Sequence, residues 1–262
     1  MSAMPSIFVS HGAPNLVLHP SATREFLASF AASLPKPKAI VSVSAHFEAN
    51  DPVAIADEKP GMIYDFGGFE KELYSMVYPA PGDRALAIRV ADLARKTGFK
   101  ANAAQGRGYD HGTWVPLMLL YPKADIPVVQ LSVSPGHDAQ WHEKLGQALA
   151  PLREEGILIF GSGSTTHNLH AYFRGGYGPS SPAPAWVTEF ADWVNAKATA
   201  GDTNALVNWE REAPHARENH PTPEHFLPLF VAMGAAGEGA KGRRIHQSTS
   251  HGVLAMDAYA FG

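Results

Sequence analysis

The chain has 262 residues, 21 Lys+Arg against 25 Asp+Glu, a formal net charge of −4, and no cysteine. Without thiols there can be no disulfide, thiolate zinc site, cysteine-held cluster or thiol nucleophile, so any metal must be held by nitrogen and oxygen. The charge balance gives no electrostatic footprint for nucleic acid, and 45% hydrophobic against 18% charged residues is a globular composition.

From the N-terminus, Met1 to Ser10 lacks the basic-then-apolar pattern of a secretory or transit segment. No apolar run approaches the ~20 residues of a bilayer span, and a cytoplasmic protein is expected. Runs rich in β-branched residues predict strands over 6–10, 39–45, 53–56, 127–133 and 157–161. Helical spacing follows at Leu86, Val90 and Leu93 behind an Asp83 cap, at Trp141, Leu145, Leu149 and Leu152, and at Val187, Phe190, Val194 and Ala198. This alternation predicts an α/β fold, a single domain with a mostly parallel or mixed central sheet flanked by helices. The Gly/Pro-rich stretch 175–184 reads as a linker, yet strand-type segments are scarce beyond it. One domain over 1–262 with long insertions is therefore expected. Residues 234–244, rich in Gly, Ala and charge, are expected to form a mobile surface loop.

Thirteen histidines invite a chemical explanation. His11 directly follows the first strand, His46 ends the second, and His167 lies just past the 157–161 strand, at the rim where α/β sheets place function. If those strands are parallel and adjacent, the three imidazoles can converge. His225 sits in the proline-stiffened run Pro221-Thr222-Pro223-Glu224-His225. A lone histidine ending a strand is more often a backbone partner than a ligand. Two ending successive strands leave the metal and structural readings evenly open, because neutral imidazole suits Zn, Fe, Cu and Ni alike. His19, His137, His142, His170, His215 and His246 stand in polar or loop contexts and are expected on the surface. Gly161-Ser162-Gly163-Ser164 is neither a nucleophile elbow nor a dinucleotide fingerprint, and no P-loop or H-E-x-x-H motif occurs.

Seven segments are more specific: Ser10-His11-Gly12-Ala13-Pro14; Ser44-Ala45-His46-Phe47; Tyr64-Asp65-Phe66-Gly67-Gly68-Phe69; Tyr78-Pro79-Ala80-Pro81-Gly82; Tyr109-Asp110-His111-Gly112-Thr113-Trp114; Gly161-Ser162-Gly163 with His167-Asn168-Leu169; and Pro221 to Pro228. In this order they resemble the DODA-type branch of the class III extradiol ring-cleavage dioxygenases, the LigB-like enzymes that include DOPA 4,5-dioxygenases. The resemblance spans nearly the whole chain and implies one catalytic domain over 1–262. It implies a non-haem metal, Fe(II) for catalysis with Zn(II) in some members as isolated, at positions matching His11, His46 and His225. It further implies His167 as the acid/base, close enough to become a fourth ligand without substrate, and His111 in the substrate pocket. The partners it implies are a catechol and O2, and the product is a ring-opened semialdehyde acid. The alternative reading is a zinc hydrolase with a water on three imidazoles.

Protocatechuate-cleaving relatives use a glutamate as third ligand, and here Glu224 stands beside His225. Adjacent helical residues point about 100° apart, so unless the chain is irregular there only one of the two can face a metal. The prolines predict a helix starting near Pro223 or Glu224, with Glu224 in solvent at the positive end of the dipole and His225 as the ligand.

Overall fold

The structure, a computed structural model, describes residues 3–262. Met1 and Ser2, where the reading of the N-terminus begins, lie outside the described residues. Among the described residues ten strands are formed: β1 (Ser6–Ser10), β2 (Ala39–Glu48), β3 (Val53–Ile55), β4 (Asn102–Ala104), β5 (Val128–Val133), β6 (Ile157–Gly163), β7 (Gly242–His246), β8 (Thr249–Ser250), β9 (Leu254–Ala255) and β10 (Ala258–Phe261). The helices are α1 (Ala22–Phe30), α2 (Arg84–Lys96), α3 (His111–Leu120), α4 (Ala139–Glu154), α5 (Leu169–Arg174), α6 (Ala185–Ala200), α7 (Thr203–Val207), α8 (Trp209–Glu212), α9 (Ala216–Asn219) and α10 (Leu227–Ala235). Among the described residues, no helix is long and apolar enough to cross a membrane.

Eight strands form one mixed sheet in the order β4-β3-β5-β2-β6-β1-β10-β7, and β8 and β9 make a separate hairpin. The centre, β5-β2-β6-β1, is parallel, while β10 joins β1 antiparallel and β7 joins β10 antiparallel. The expected α/β fold with a mixed sheet is thus present. Both faces of the central strands are covered, which is why they read as continuous apolar runs. Ile7, Val9, Ile40, Leu158 and Phe160 enter the core on the side of α3, and Phe8, Val41, Val43 and Ile159 enter the core beneath α2, α4 and α10. Asp83 caps α2 by accepting from Leu86 N–H at 2.9 Å, as its position predicts.

Three expectations need correction. The 234–244 segment is not one loop: Gly234 is buried in α10, and Gly242 to Arg244 lie in β7. A methyl group at Gly234 would meet the Glu143 carbonyl 1.9 Å away, so the glycine there permits α4 and α10 to touch. The segments past 175–184 also contribute strands, β7 and β10, to the main sheet. His142 is fully buried; its Nδ1 lies 2.8 Å from the Asp138 carbonyl and its Nε2 accepts from Ser134 N–H at 3.0 Å. His246 is half-buried, with its ring stacked on Phe26.

Candidate metal centre

The parallel order β1-β6-β2 brings the carboxyl ends of three strands together, and the histidines follow from it. His11 leaves β1 with its N–H bonded to the Gly163 carbonyl of β6 at 2.9 Å. β2 runs three residues further than the apolar run predicts and loses register with β5 between Ser44 and Glu48. Such a break bends a strand and re-aims its side chains, and His46 lies inside it. His225 lies in the turn from Pro223 to Phe226, closed by Phe226 N–H to the Pro223 carbonyl at 2.8 Å. The His225 carbonyl accepts from Ser164 N–H at 2.8 Å. A side chain at Gly163 would come 2.1 Å from that carbonyl, so only glycine admits the turn against β6.

The Nε2 atom of His46 faces those of both His11 and His225. His46 Nε2 is 3.1 Å from His11 Nε2 and 3.3 Å from His225 Nε2. The opposite nitrogens fix the tautomers. Ser162 donates its hydroxyl hydrogen to the Gly112 carbonyl, so its oxygen accepts from His11 Nδ1 at 3.0 Å. Glu224 Oε1 accepts from His225 Nδ1 at 2.8 Å, and Asp65 Oδ2 lies 3.3 Å from His46 Nδ1. The Nε2 atoms of His11 and His225 therefore each present a lone pair to His46 Nε2.

Burial holds His11 and His225 well below the usual imidazole range and His46 at about 3, with neighbouring imidazoles adding to the effect at all three. A proton is thus a poor occupant of the space between them. A divalent transition metal suits an all-imidazole, neutral donor set of this kind, and Asp65 and Glu224 stand behind two of the rings as carboxylate partners.

Two more imidazoles flank the trio. His111 opens α3, and both its N–H and its Nδ1 reach Asp65 Oδ1, at 3.1 and 2.9 Å. Its ring centroid is 4.0 Å from that of His46. Burial raises the Asp65 carboxyl, but the hydrogen bond and charge of His111 outweigh it and bring the group down to about 2. His167 stacks on His225 with centroids 3.4 Å apart and planes 10° apart, and burial depresses it to about 4. Phe66 meets the His111 ring edge-on at 5.7 Å and, with Tyr64, Tyr74 and Trp114, forms an aromatic wall beside it.

All five histidines singled out from the sequence thus lie in one cluster. The solvent position expected for Glu224 is wrong: its side chain is only 15% exposed and is bonded to His225. Helix α10 starts at Leu227, not near Pro223, with Pro228 in its first turn, and Pro223 to Phe226 is a turn that lets both neighbours point inward. Asp65 and Ser162 went unassigned because each acts through a contact distant in sequence. The one available signal was Asp65 inside the aromatic, Gly-rich segment 64–69.

The family described as the catalytic LigB subunit of aromatic ring-opening dioxygenase matches residues 9–262. A protein of Beta vulgaris named 4,5-DOPA dioxygenase extradiol is 45% identical over 98% of this chain and 96% of its own length. One of the same name from Escherichia coli K12 is 41% identical over 88% of this chain and 85% of its own. The crystal structure of an uncharacterized protein from Escherichia coli K12 superposes with a TM-score of 0.81 at 35% identity, covering 99% of this chain and 100% of that one. Enzymes of the LigB family depend on a non-haem metal, and the hydrolase alternative finds no support among these relatives. The chain belongs to the LigB family, as a class III extradiol dioxygenase of the DODA type that opens aromatic rings.

Proposed function

We propose that the chain, as one catalytic domain, opens the ring of DOPA or a closely related catechol at an Fe(II) ion held by His11, His46 and His225. The observation that carries the ligand assignment is the approach of the His11 and His225 Nε2 atoms to His46 Nε2, at 3.1 and 3.3 Å. The substrate rests on the 45% identity, over nearly the full chain, to a protein named for DOPA. A redox-active metal supplies the electron exchange between a catechol and dioxygen that side chains lack.

The chain's own residues do the rest. His111 commits Nδ1–H to Asp65, which leaves Nε2 to accept a hydrogen bond from a substrate hydroxyl. His167, neutral at pH 7 because burial holds it near 4, takes the proton of the other catechol hydroxyl on a ring nitrogen and returns it later as the acid. Its flat stacking on His225 fixes the ring without using either nitrogen. Ser162, Asp65 and Glu224 keep the three ligands in one tautomer. Tyr64, Phe66, Tyr74 and Trp114 give the aromatic substrate an apolar wall and limit water beside His111.

The test is anaerobic loading with Fe(II), then air with DOPA, dopamine, protocatechuate and caffeate while oxygen uptake and product absorbance are followed. DOPA is expected to give the highest kcat/KM. An inert DOPA beside a turned-over protocatechuate would refute the substrate, leaving the reaction intact.

A further inference from the structure

Behind the histidines lies a second buried group that the mechanism above does not use. The Asp110 side chain is 0% exposed and carries a full set of donors. Its Oδ1 accepts from the Ser44 hydroxyl at 2.6 Å and from Thr113 N–H at 3.1 Å. Its Oδ2 accepts from Gln130 Nε2 at 2.7 Å and from Arg107 Nη2 at 3.0 Å. Thr113 belongs to α3, whose first residue is His111, so Asp110 is the cap that starts the His111 helix.

The same carboxylate reaches both main-chain groups of His46. His46 N–H donates to Ser44 Oγ at 3.2 Å, and Ser44 in turn donates to Asp110. The His46 carbonyl accepts from Arg107 Nη2 at 2.9 Å, the nitrogen that also binds Asp110. The Arg107 guanidinium is seated 4.2 Å over the ring of Phe47, the next residue. These bonds fall inside the stretch where β2 leaves its register with β5. There the strand ladder no longer fixes the peptide plane, and a peptide plane sets where its side chain aims.

We propose that Asp110, acting through Arg107 and Ser44, is the positioning device that sets the aim of His46 and its distance from His111. A buried carboxylate with one cationic partner is costly to desolvate and offers little stability over an apolar core. Here it joins a strand end and a helix start that carry two rings of the site, 4.0 Å apart. Arg107 is the accessible point of attack, because it touches the His46 carbonyl and no reacting group.

This inference rests on His46 being a metal ligand, and the experiment separates the two ideas. Arg153 provides the control: it too is an arginine bonded to backbone carbonyls, those of Met4 and Ala235, which belong to no part of the site, and it is the more deeply buried of the two. Metal-free wild type, Arg107→Gln, Arg107→Lys and Arg153→Gln are titrated with Co(II) against a chelator. Visible spectra and melting temperatures are recorded on the same samples. Arg107→Gln is expected to bind Co(II) ~10–100-fold more weakly, the scale for losing an outer partner of a ligand, with an altered visible spectrum. Arg107→Lys, which can still donate to both oxygens, is expected to recover most of the affinity. Arg153→Gln is expected to melt earlier with wild-type affinity and spectrum. Wild-type affinity and spectrum in Arg107→Gln would overturn the positioning role alone. Equal weakening in Arg153→Gln would also overturn it, by reducing the effect to general destabilisation. A wild type that binds no Co(II) would overturn the ligand assignment and this inference with it.

Discussion

His142 near the start of α4 and His46 at the end of β2 are both imidazoles near the carboxyl end of a sheet strand, and burial depresses both, to about 4 and about 3. Their partners differ. His142 has both nitrogens engaged by the backbone of its own turn, one donating and one accepting. His46 spends Nδ1 on Asp65 and points Nε2 at two other Nε2 atoms that also lack a hydrogen. A depressed pKa is therefore no mark of a metal site. Acceptors brought to face acceptors are the better sign, because a cation relieves them.

The sharpest break in this comparison comes from deleting each ring. His46→Ala or His11→Ala is expected to lose most of about one metal per chain and with it turnover, by elemental analysis and oxygen uptake. Full metal retention in both would contradict the site. Next in size, His167→Ala is expected to keep its metal and turn over at least ~10²-fold more slowly, the scale for a general acid/base. Metal loss in that variant would instead move His167 among the ligands. Glu224→Gln is expected to weaken the metal ~10-fold through His225, whereas His225→Ala is deficient outright. The reverse ranking would make Glu224 the ligand.

The smallest effect belongs to His142, and it is a stability effect. Its folded pKa lies below the unfolded value of 6.5, so the unfolded chain binds more protons between about 6.5 and 4. The stability tied to neutral His142 is complete above that window and is lost as pH falls through it, to the extent of about 3 kcal/mol at most. Urea unfolding of metal-free protein should therefore show the advantage of wild type over His142→Gln shrinking from pH 7 to pH 4, with metal binding at pH 7 alike in both. A constant difference would mean that His142 is not buried neutral.

Much of the contrast was legible in the sequence. The strands ending at His11 and His46 are apolar runs covered on both faces, and such runs stand out in any composition window. The convergence required only that these strands be parallel and adjacent to β6, which they are. The roles of His111, His167 and His225 came through resemblance, because no periodicity singles them out. His142 was misplaced by its polar neighbours, although it shares spacing with Leu145, Leu149 and Leu152 along one buried face of α4. That helical period was the better guide. Asp65, Ser162 and the Arg107–Asp110 pair stayed silent because they act across 19 to 151 residues or through backbone carbonyls, for which sequence has no pattern. β7 was hidden by its arginines, which a strand near the sheet edge tolerates.

The central claim is that these facing imidazoles hold a redox metal at which a catechol is opened by dioxygen. The most direct measurement is the stoichiometry of oxygen uptake against catechol consumed, in matched preparations loaded with Fe(II), loaded with Zn(II) and left metal-free. One O2 per catechol, with a ring-opened chromophore in the Fe(II) preparation only, is the predicted result. An iron-loaded protein that binds catechol yet consumes no oxygen, or a zinc-loaded one that turns over equally well, would contradict it.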